Sequence, residues 1–289
     1  MCIASRSPST CRTAASVSGR LAGLALGASL AWLPAAALAD QKVVVGYSVY
    51  LNGITIGKGG VAATIDGSRY TIEGTSRLSG IAGALLKFSA AGKADGRFYG
   101  SRQSPSSFSA TTVAGDKQST VQMAMSGSSV SALEVKPESP SQGRVPVTRA
   151  HMRRVVDPMS MMIQPVAGSG PLDPGNCNKT LPIFNGRERF DIVLSYKRTA
   201  VIEADAGNAM SGKAIVCQAR YRPIAGHRSG KKEIEYFRDL TSIELWLVEA
   251  EGTGVLVPYR VSVPTPIGTG VMQMSAMQVA GAKRTAASQ

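Results

Sequence analysis

The chain is 289 residues long, with 32 basic against 19 acidic side chains and a formal net charge of +13. That length accommodates one large domain or two small ones. The charge calls for anionic partners or none, and two histidines with four cysteines in no zinc-like spacing argue against a metal-organised fold.

Residues 1–39 read as a signal peptide. Arg6, Arg12 and Arg20 form a positive segment without an acid, Leu21–Leu33 is mostly apolar, and Ala37-Leu38-Ala39 has the small-x-small form of a cleavage site. The apolar run is shorter than the ~20 residues a spanning helix needs. An uncleaved anchor is the alternative. The expected product is periplasmic or secreted and does not span the membrane, with a single β-rich domain over 40–280 and a disordered tail at 281–289. Cleavage leaves 29 basic residues against 19 acids, and Cys177 and Cys217 as the remaining cysteines. In an oxidising compartment such a pair is expected as a disulfide, with buried free thiols or metal ligation as the alternatives.

Strand signals begin at once. Tyr47, Val49 and Leu51 alternate with polar or amphipathic neighbours, and Asn52-Gly53 supplies the dipeptide of a type I′ hairpin turn. Asp66-Gly67 is a second turn, and Tyr70–Thr75 a third strand. Ser79–Phe88 is apolar with few β-branched residues and reads as a short helix with Ser79 as N-cap. Its apolar character all round suggests an ordinary core helix or a cover over an apolar surface. Strands resume at 96–100, 106–113, 118–125 and 129–136, with Pro105 as a boundary. Asp157-Pro158 is an N-cap followed by a proline at the first helical position, so one or two helical turns should follow.

The longest strands lie in the second half. Phe190, Ile192, Leu194 and Tyr196 share one face by the two-residue period, as do Ile215, Cys217, Ala219 and Tyr221. Arg222–Lys232 reads as a basic loop. Val255, Val257, Tyr259, Val261 and Val263 form a further alternation, interrupted by an outward Pro258 that places the strand at an edge or a bulge. The fold class is therefore mainly β. A large curved antiparallel sheet with two short helices is expected, as a half-barrel, an open barrel or two packed sheets.

Several short motifs occur in a telling order. They are Tyr47–Gly57 (Tyr-x-Val-Tyr-x-Asn-Gly-x-x-x-Gly), Asp157-Pro158-Met159-Ser160, Asn185-Gly186-Arg187 before a strand, Cys217 in a later strand, Glu244-Leu245-Trp246-Leu247 and Pro258-Tyr259-Arg260. In this order they resemble the exported bacterial proteins grouped as domain of unknown function 3108, over roughly residues 45–280. Val156 and Met159 depart from that family's usual basic residue and leucine. The resemblance implies a β-rich envelope protein and supplies no catalytic residues. A looser analogy of architecture is with periplasmic lipoprotein carriers, whose curled sheet and helical cover enclose an apolar cavity.

No Gly-x-Ser-x-Gly, His-Glu-x-x-His, phosphate loop or dinucleotide fingerprint occurs. His151 and His227, the available imidazole bases, each lie among arginines in expected loops. No catalytic residue, metal ligand or cofactor is expected. Export makes nucleic acid an unsuitable partner for the basic clusters. Two readings result. In the first, a non-catalytic envelope protein holds a lipid or other amphiphile in the concave face of its sheet, with Ile81, Leu85, Leu86 and Phe88 of the helix and Trp246 facing the ligand. In the second, an envelope scaffold contacts anionic cell-wall or membrane surfaces through basic loops bearing Arg153, Arg154, Arg228, Lys231 and Lys232.

Overall fold

The computed structural model describes residues 40–138, 142–204 and 210–281. The expected leader and the last eight residues of the expected tail lie outside the described residues. The described strands all belong to one unit, Leu38–Gln289.

Fourteen strands form one antiparallel sheet. In chain order they are β1 (Gln41–Leu51), β2 (Ile54–Asp66), β3 (Arg69–Leu78), β4 (Phe88–Tyr99), β5 (Arg102–Ala114), β6 (Lys117–Ser126), β7 (Ser129–Lys136), β8 (Gln164–Pro165), β9 (Lys179–Phe184), β10 (Arg189–Ile202), β11 (Gly212–Ala225), β12 (Ile243–Ala250), β13 (Val255–Thr265) and β14 (Gly268–Ala280). The hydrogen-bonded order runs β7-β6-β5-β4-β3-β2-β1-β14-β13-β12-β11-β10-β9, with β8 pairing β13. Almost every pairing is between neighbours in sequence, as hairpin-length connections dictate. The β1–β14 pairing brings the two ends of the chain together. At Asn52-Gly53 both residues take positive φ (49° and 79°), the geometry of the expected type I′ turn.

The sheet does not close on itself. Its free edges, β7 and β9, are joined through the backbone of the extended pair Val155-Val156. Val155 N–H donates to the Ser128 carbonyl at the β6–β7 turn (2.8 Å), Val156 N–H to Pro182 (2.8 Å), and Phe184 N–H to Val156 (3.0 Å). The sheet therefore curls until its edges flank one short segment. One apolar core results, drawing on Val45, Tyr70 and Phe108 from the first strands, Val155 and Ile163 from the stitching segment, and Val248 and Val257 from the last. A second core lies on the other face of the later strands, around Ile183, Ile215, Leu247 and Leu256.

Several local expectations are corrected. Pro105 does not end a strand. It lies inside β5, opposite Gly96, where the register shifts, so its missing N–H falls at a bulge. Pro258 likewise sits at a register shift, opposite Leu247 in the interior strand β13, but it is buried and does not point outward. That bulge has a further effect. Val255, Val257 and Tyr259 face the first core, whereas Val263 packs on the second, because one extra residue swaps the faces of all that follow. Tyr196 is exposed, unlike Phe190, Ile192 and Leu194.

The two α-helices are α1 (Gly80–Leu85) and α2 (Lys232–Asp239). α1 is shorter than expected, and the Ser79 side chain makes no capping bond. α2 begins at the end of the segment expected as a basic loop, at Lys232. None of its residues is fully buried, but Ile234, Tyr236 and Phe237 are half-buried where the helix lies against β11. The Asp157 side chain does accept from the N–H groups of Met159 and Ser160, but the turn it holds is a 3₁₀ turn at Ser160–Met162. Among the described residues, no helix is long and apolar enough to cross a membrane.

Candidate functional site

The inner face of β1–β6 is not filled by its own side chains. Its positions toward one end are occupied by Gly59, Gly74, Ala90, Gly92 and Ala110, and a cavity of about 530 Å³ remains over them. Tyr47, Val49, Val61, Phe108 and Val121 wall it from the sheet. Pro158, Met159 and Met162 cover it from the segment that follows the stitch, and Asn185 and Arg187 reach it from the β9–β10 turn.

Glycine inside strands makes this arrangement fit. Gly74 and Gly92 are directly paired across β3 and β4. A Cβ on Gly74 would meet Met159 Cε at 2.8 Å, and one on Gly92 would meet Met159 Cγ and Sδ at 3.0 Å. The Met159 side chain thus lies in a notch that two absent side chains leave, a close approach that glycine alone permits. Gly186 plays the same part on the other side. Its φ is +89°, and a Cβ there would lie 2.3 Å from Val121 Cγ1.

The Met159 turn is held from behind by buried polar groups. Asp157, fully buried, accepts from Met159 N (2.9 Å), Ser160 N (2.8 Å) and Ser160 Oγ (2.5 Å). Tyr70 Oη donates to Ser160 Oγ at 2.8 Å, and Gln103 Nε2 donates to the carbonyls of Ser160 and Ile163. Desolvation raises the Asp157 carboxyl to about 6 against the opposing pull of its hydrogen bonds, and burial raises the Tyr70 hydroxyl above its ordinary range. A serine bonded to an aspartate resembles a nucleophile and its base. Ser160 is fully buried, however, and its bonds to Asp157 and Tyr70 fix the turn.

Arg187 marks one end of the cavity. Its Nη2 donates to Ser119 Oγ (2.9 Å) and to the carbonyls of Lys136 (3.2 Å) and Pro137 (3.0 Å), tying the β9–β10 turn to the end of β7. Burial, and then the neighbouring Arg144, lower its pKa. Among the described residues Arg187 is the one charged group in the lining, which also carries the hydroxyls of Ser76, Thr112 and Ser119.

Of the described residues expected to face a ligand, Leu86 and Phe88 lie together and Trp246 lies elsewhere. α1 stands beside β2 and β3 at the end of their hairpin, with Leu86 64% and Phe88 39% exposed. Among its described side chains none lines the cavity over β1–β6; Ala84, with Leu86 and Phe88 just beyond the helix, borders a separate groove against Gly115 and Asp116. The side chains of Ile81 and Leu85 lie outside what is described. Trp246 packs against the first core but lines a separate groove with Ser48 and Tyr50, while the alternate residues Tyr47 and Val49 line the cavity. Its ring lies 5.3 Å below the Arg198 guanidinium, and its Nε1 donates to Glu244 Oε2 (3.0 Å). Hydrogen bonds from Arg198, then Lys197, hold Glu244 down to about 2.

The basic residues are exposed and fall in two places. Arg153 and Arg154 precede the Val155 stitch at the β6–β7 turn. Arg228 follows β11 and bridges Arg144, and Lys231 and Lys232 open α2, whose first turn carries Glu233 and Glu235. His151 Nδ1 accepts from Thr148 N within its own turn (3.2 Å), and neither histidine lines the cavity. Cys177 and Cys217 are joined, Cα atoms 5.3 Å apart, in the second core.

The sheet and its covered recess define an open, curled antiparallel β-protein with a plugged apolar interior. The model of the family described as protein of unknown function DUF3108 matches residues 46–275, and the chain belongs to that family. Three of the motifs that carried the resemblance, at Tyr47, Asp157–Ser160 and Asn185–Arg187, converge on the cavity. A crystal structure of a beta-barrel-like protein of domain of unknown function DUF1849 from Brucella abortus is similar at 7% identity and a TM-score of 0.47, over 83% of this chain and 98% of that one. No curated protein matches the chain.

Proposed function

We propose that the protein is an exported, non-catalytic β-protein that holds an apolar or amphiphilic molecule on the inner face of its sheet. The observation that carries this reading is the cavity of about 530 Å³ over the Gly/Ala floor of β2–β5, a volume within the range of small-molecule sites. Apolar walls from Tyr47, Val49, Val61, Phe108 and Val121 suit a hydrocarbon or ring system. The hydroxyls of Ser76, Thr112 and Ser119, with Asn185 and the Arg187 guanidinium, suit a polar or anionic head at one end. The plug supports the reading too, because Met159 and Met162 are flexible and adapt to varied shapes.

The test is solvent extraction of the purified protein with mass spectrometry, together with displacement of a polarity-sensitive fluorescent probe. The probe should bind the parent. Ala110→Trp, which fills the floor, should abolish binding while leaving the circular dichroism spectrum unchanged. A parent that takes up no probe and carries no extractable amphiphile, or a filled variant that binds as the parent does, would overturn the reading.

A further inference from the structure

Four connections meet at one end of the sheet. Asn52, in the β1–β2 turn, donates from its backbone N to Thr269 O (3.0 Å) and from Nδ2 to Ile267 O (3.0 Å), which ties it to the β13–β14 turn. Ser79 N–H donates to Ile56 O (3.0 Å), setting α1 beside the start of β2. Gly115 N–H donates to Lys87 O (2.7 Å), setting the β5–β6 turn beside the end of α1. On this continuous rim stand Ile54, Leu86, Phe88 and Ile267, with exposures of 67%, 64%, 39% and 73%. Single exposed apolar residues are ordinary, but four on adjoining connections form a patch.

The same end is basic. Lys58, Arg77, Lys87 and Lys117 are exposed there, with Asp116 the acid of the β5–β6 turn. The β2–β3 register sets Lys58 directly opposite Arg77, an arrangement that opposes strand pairing. Neither makes an ion pair among the described residues. Farther along the same face charge is balanced: Lys93 pairs with Glu73 at 2.7 Å, and Asp95 accepts from Thr71 and Ser107. Uncompensated cations beside exposed apolar tips are the chemistry of an interfacial contact, with side chains entering the headgroup boundary and cations meeting anionic headgroups.

We propose that this rim docks on an anionic phospholipid bilayer. Val49, Ser76, Ala90 and Thr112, all in the cavity lining, lie within three residues of the rim along their strands. Docking therefore sets the cavity close to the bilayer, although the inference does not rest on what the cavity holds.

The test is flotation of the purified protein with vesicles of phosphatidylcholine alone and with vesicles containing phosphatidylglycerol, at low and at higher salt. Parent and variants share everything outside the rim, so their ratio reports the rim. The parent should float with the phosphatidylglycerol vesicles. The pair Lys58→Glu and Arg77→Glu should weaken that at least about tenfold. The triple change Leu86→Ser, Phe88→Ser and Ile267→Ser should leave only binding that salt removes. These positions are exposed, so both variants should keep the parent's melting temperature, and their probe uptake separates loss of docking from loss of the cavity. A parent that stays unbound at low salt, one that binds both vesicle types equally, or variants that float as the parent does would overturn the proposal.

Discussion

Strands β6 and β11 are both interior strands, yet they are packed differently. In β6, Val121, Met123 and Met125 are buried while Gln122 and Ala124 are exposed, so one face carries all the packing. In β11, Ala214, Ile215, Val216 and Cys217 are buried in succession, because a core covers each face. Two-sided burial leaves this stretch of β11 no free surface, and the groove of the later strands opens elsewhere, beside Trp246 and Tyr259. One-sided burial, with glycine and alanine on the inner face, leaves the earlier strands room for something else. Stability and capacity are thus assigned to opposite halves of one sheet.

The most severe way to break this comparison is to cut the Cys177–Cys217 bridge, which closes a 40-residue separation within the second core. Replacing both cysteines by alanine should cost about 4 kcal/mol in the chain-entropy model. Denaturant titration checks the value, and probe uptake by the folded fraction should be unchanged. Loss of uptake at temperatures where the protein remains folded would show that the halves are not independent.

Leu247→Ala opens a hole in the two-sided region and should cost about 3 kcal/mol. Val49→Ala, half-buried on the cavity wall, should cost about 1 kcal/mol or less and lower probe affinity instead. Equal costs at the two positions would contradict the contrast.

A pH titration sharpens it. The Asp157 carboxyl sits at about 6 in the folded protein against an ordinary 3.8. Its folded pKa is raised, so its contribution is fully present below the unfolded value and is lost as pH rises through the folded one. Stability from this group should fall by about 2 to 3 kcal/mol between pH 4 and 6. Asp157→Asn, whose carbonyl still accepts from the two amides, should flatten that slope in denaturant midpoints measured across the range. A parent whose midpoint does not fall over this window, or an Asn variant with the parent's slope, would contradict the assignment.

The smallest effect concerns the notch. Gly92→Ala presses on the Met159 side chain and should cost about 1 to 2 kcal/mol. Combining it with Met159→Ala should recover at least about 0.5 kcal/mol beyond additivity. Strict additivity would mean that Met159 does not occupy the notch.

Much of the fold was legible in local chemistry. Asn52-Gly53 and Asp66-Gly67 punctuate strands by the backbone conformations they permit, and Pro258 advertised its bulge by lacking an N–H. The phase of Cys217 on its strand matched its place in a core. What failed was long-range. The apolar helix at Gly80–Leu85 looked like a cover, but its position depends on where the β3–β4 connection falls in the curled sheet. Trp246 has the composition of a ligand contact, yet its face is decided by strand parity counted through bulges. The cavity floor did leave a signal: glycines at 59, 60, 74 and 92 interrupt strand patterns, and such positions mark close approach of another part of the chain. Nothing local said that the partner would be Met159.

The stitch at Val155-Val156 bears on how such a molecule is sized. In a closed barrel, strand number, tilt and stagger jointly fix the diameter. Here the Val155-Val156 backbone and, at the far end of β7, the Arg187 side chain span the seam between β7 and β9, and no strand count has to match. The bore of the interior is therefore set by the length and bulk of the segment from Val155 to Ile163, a part that insertion or substitution can alter without re-registering a single hairpin.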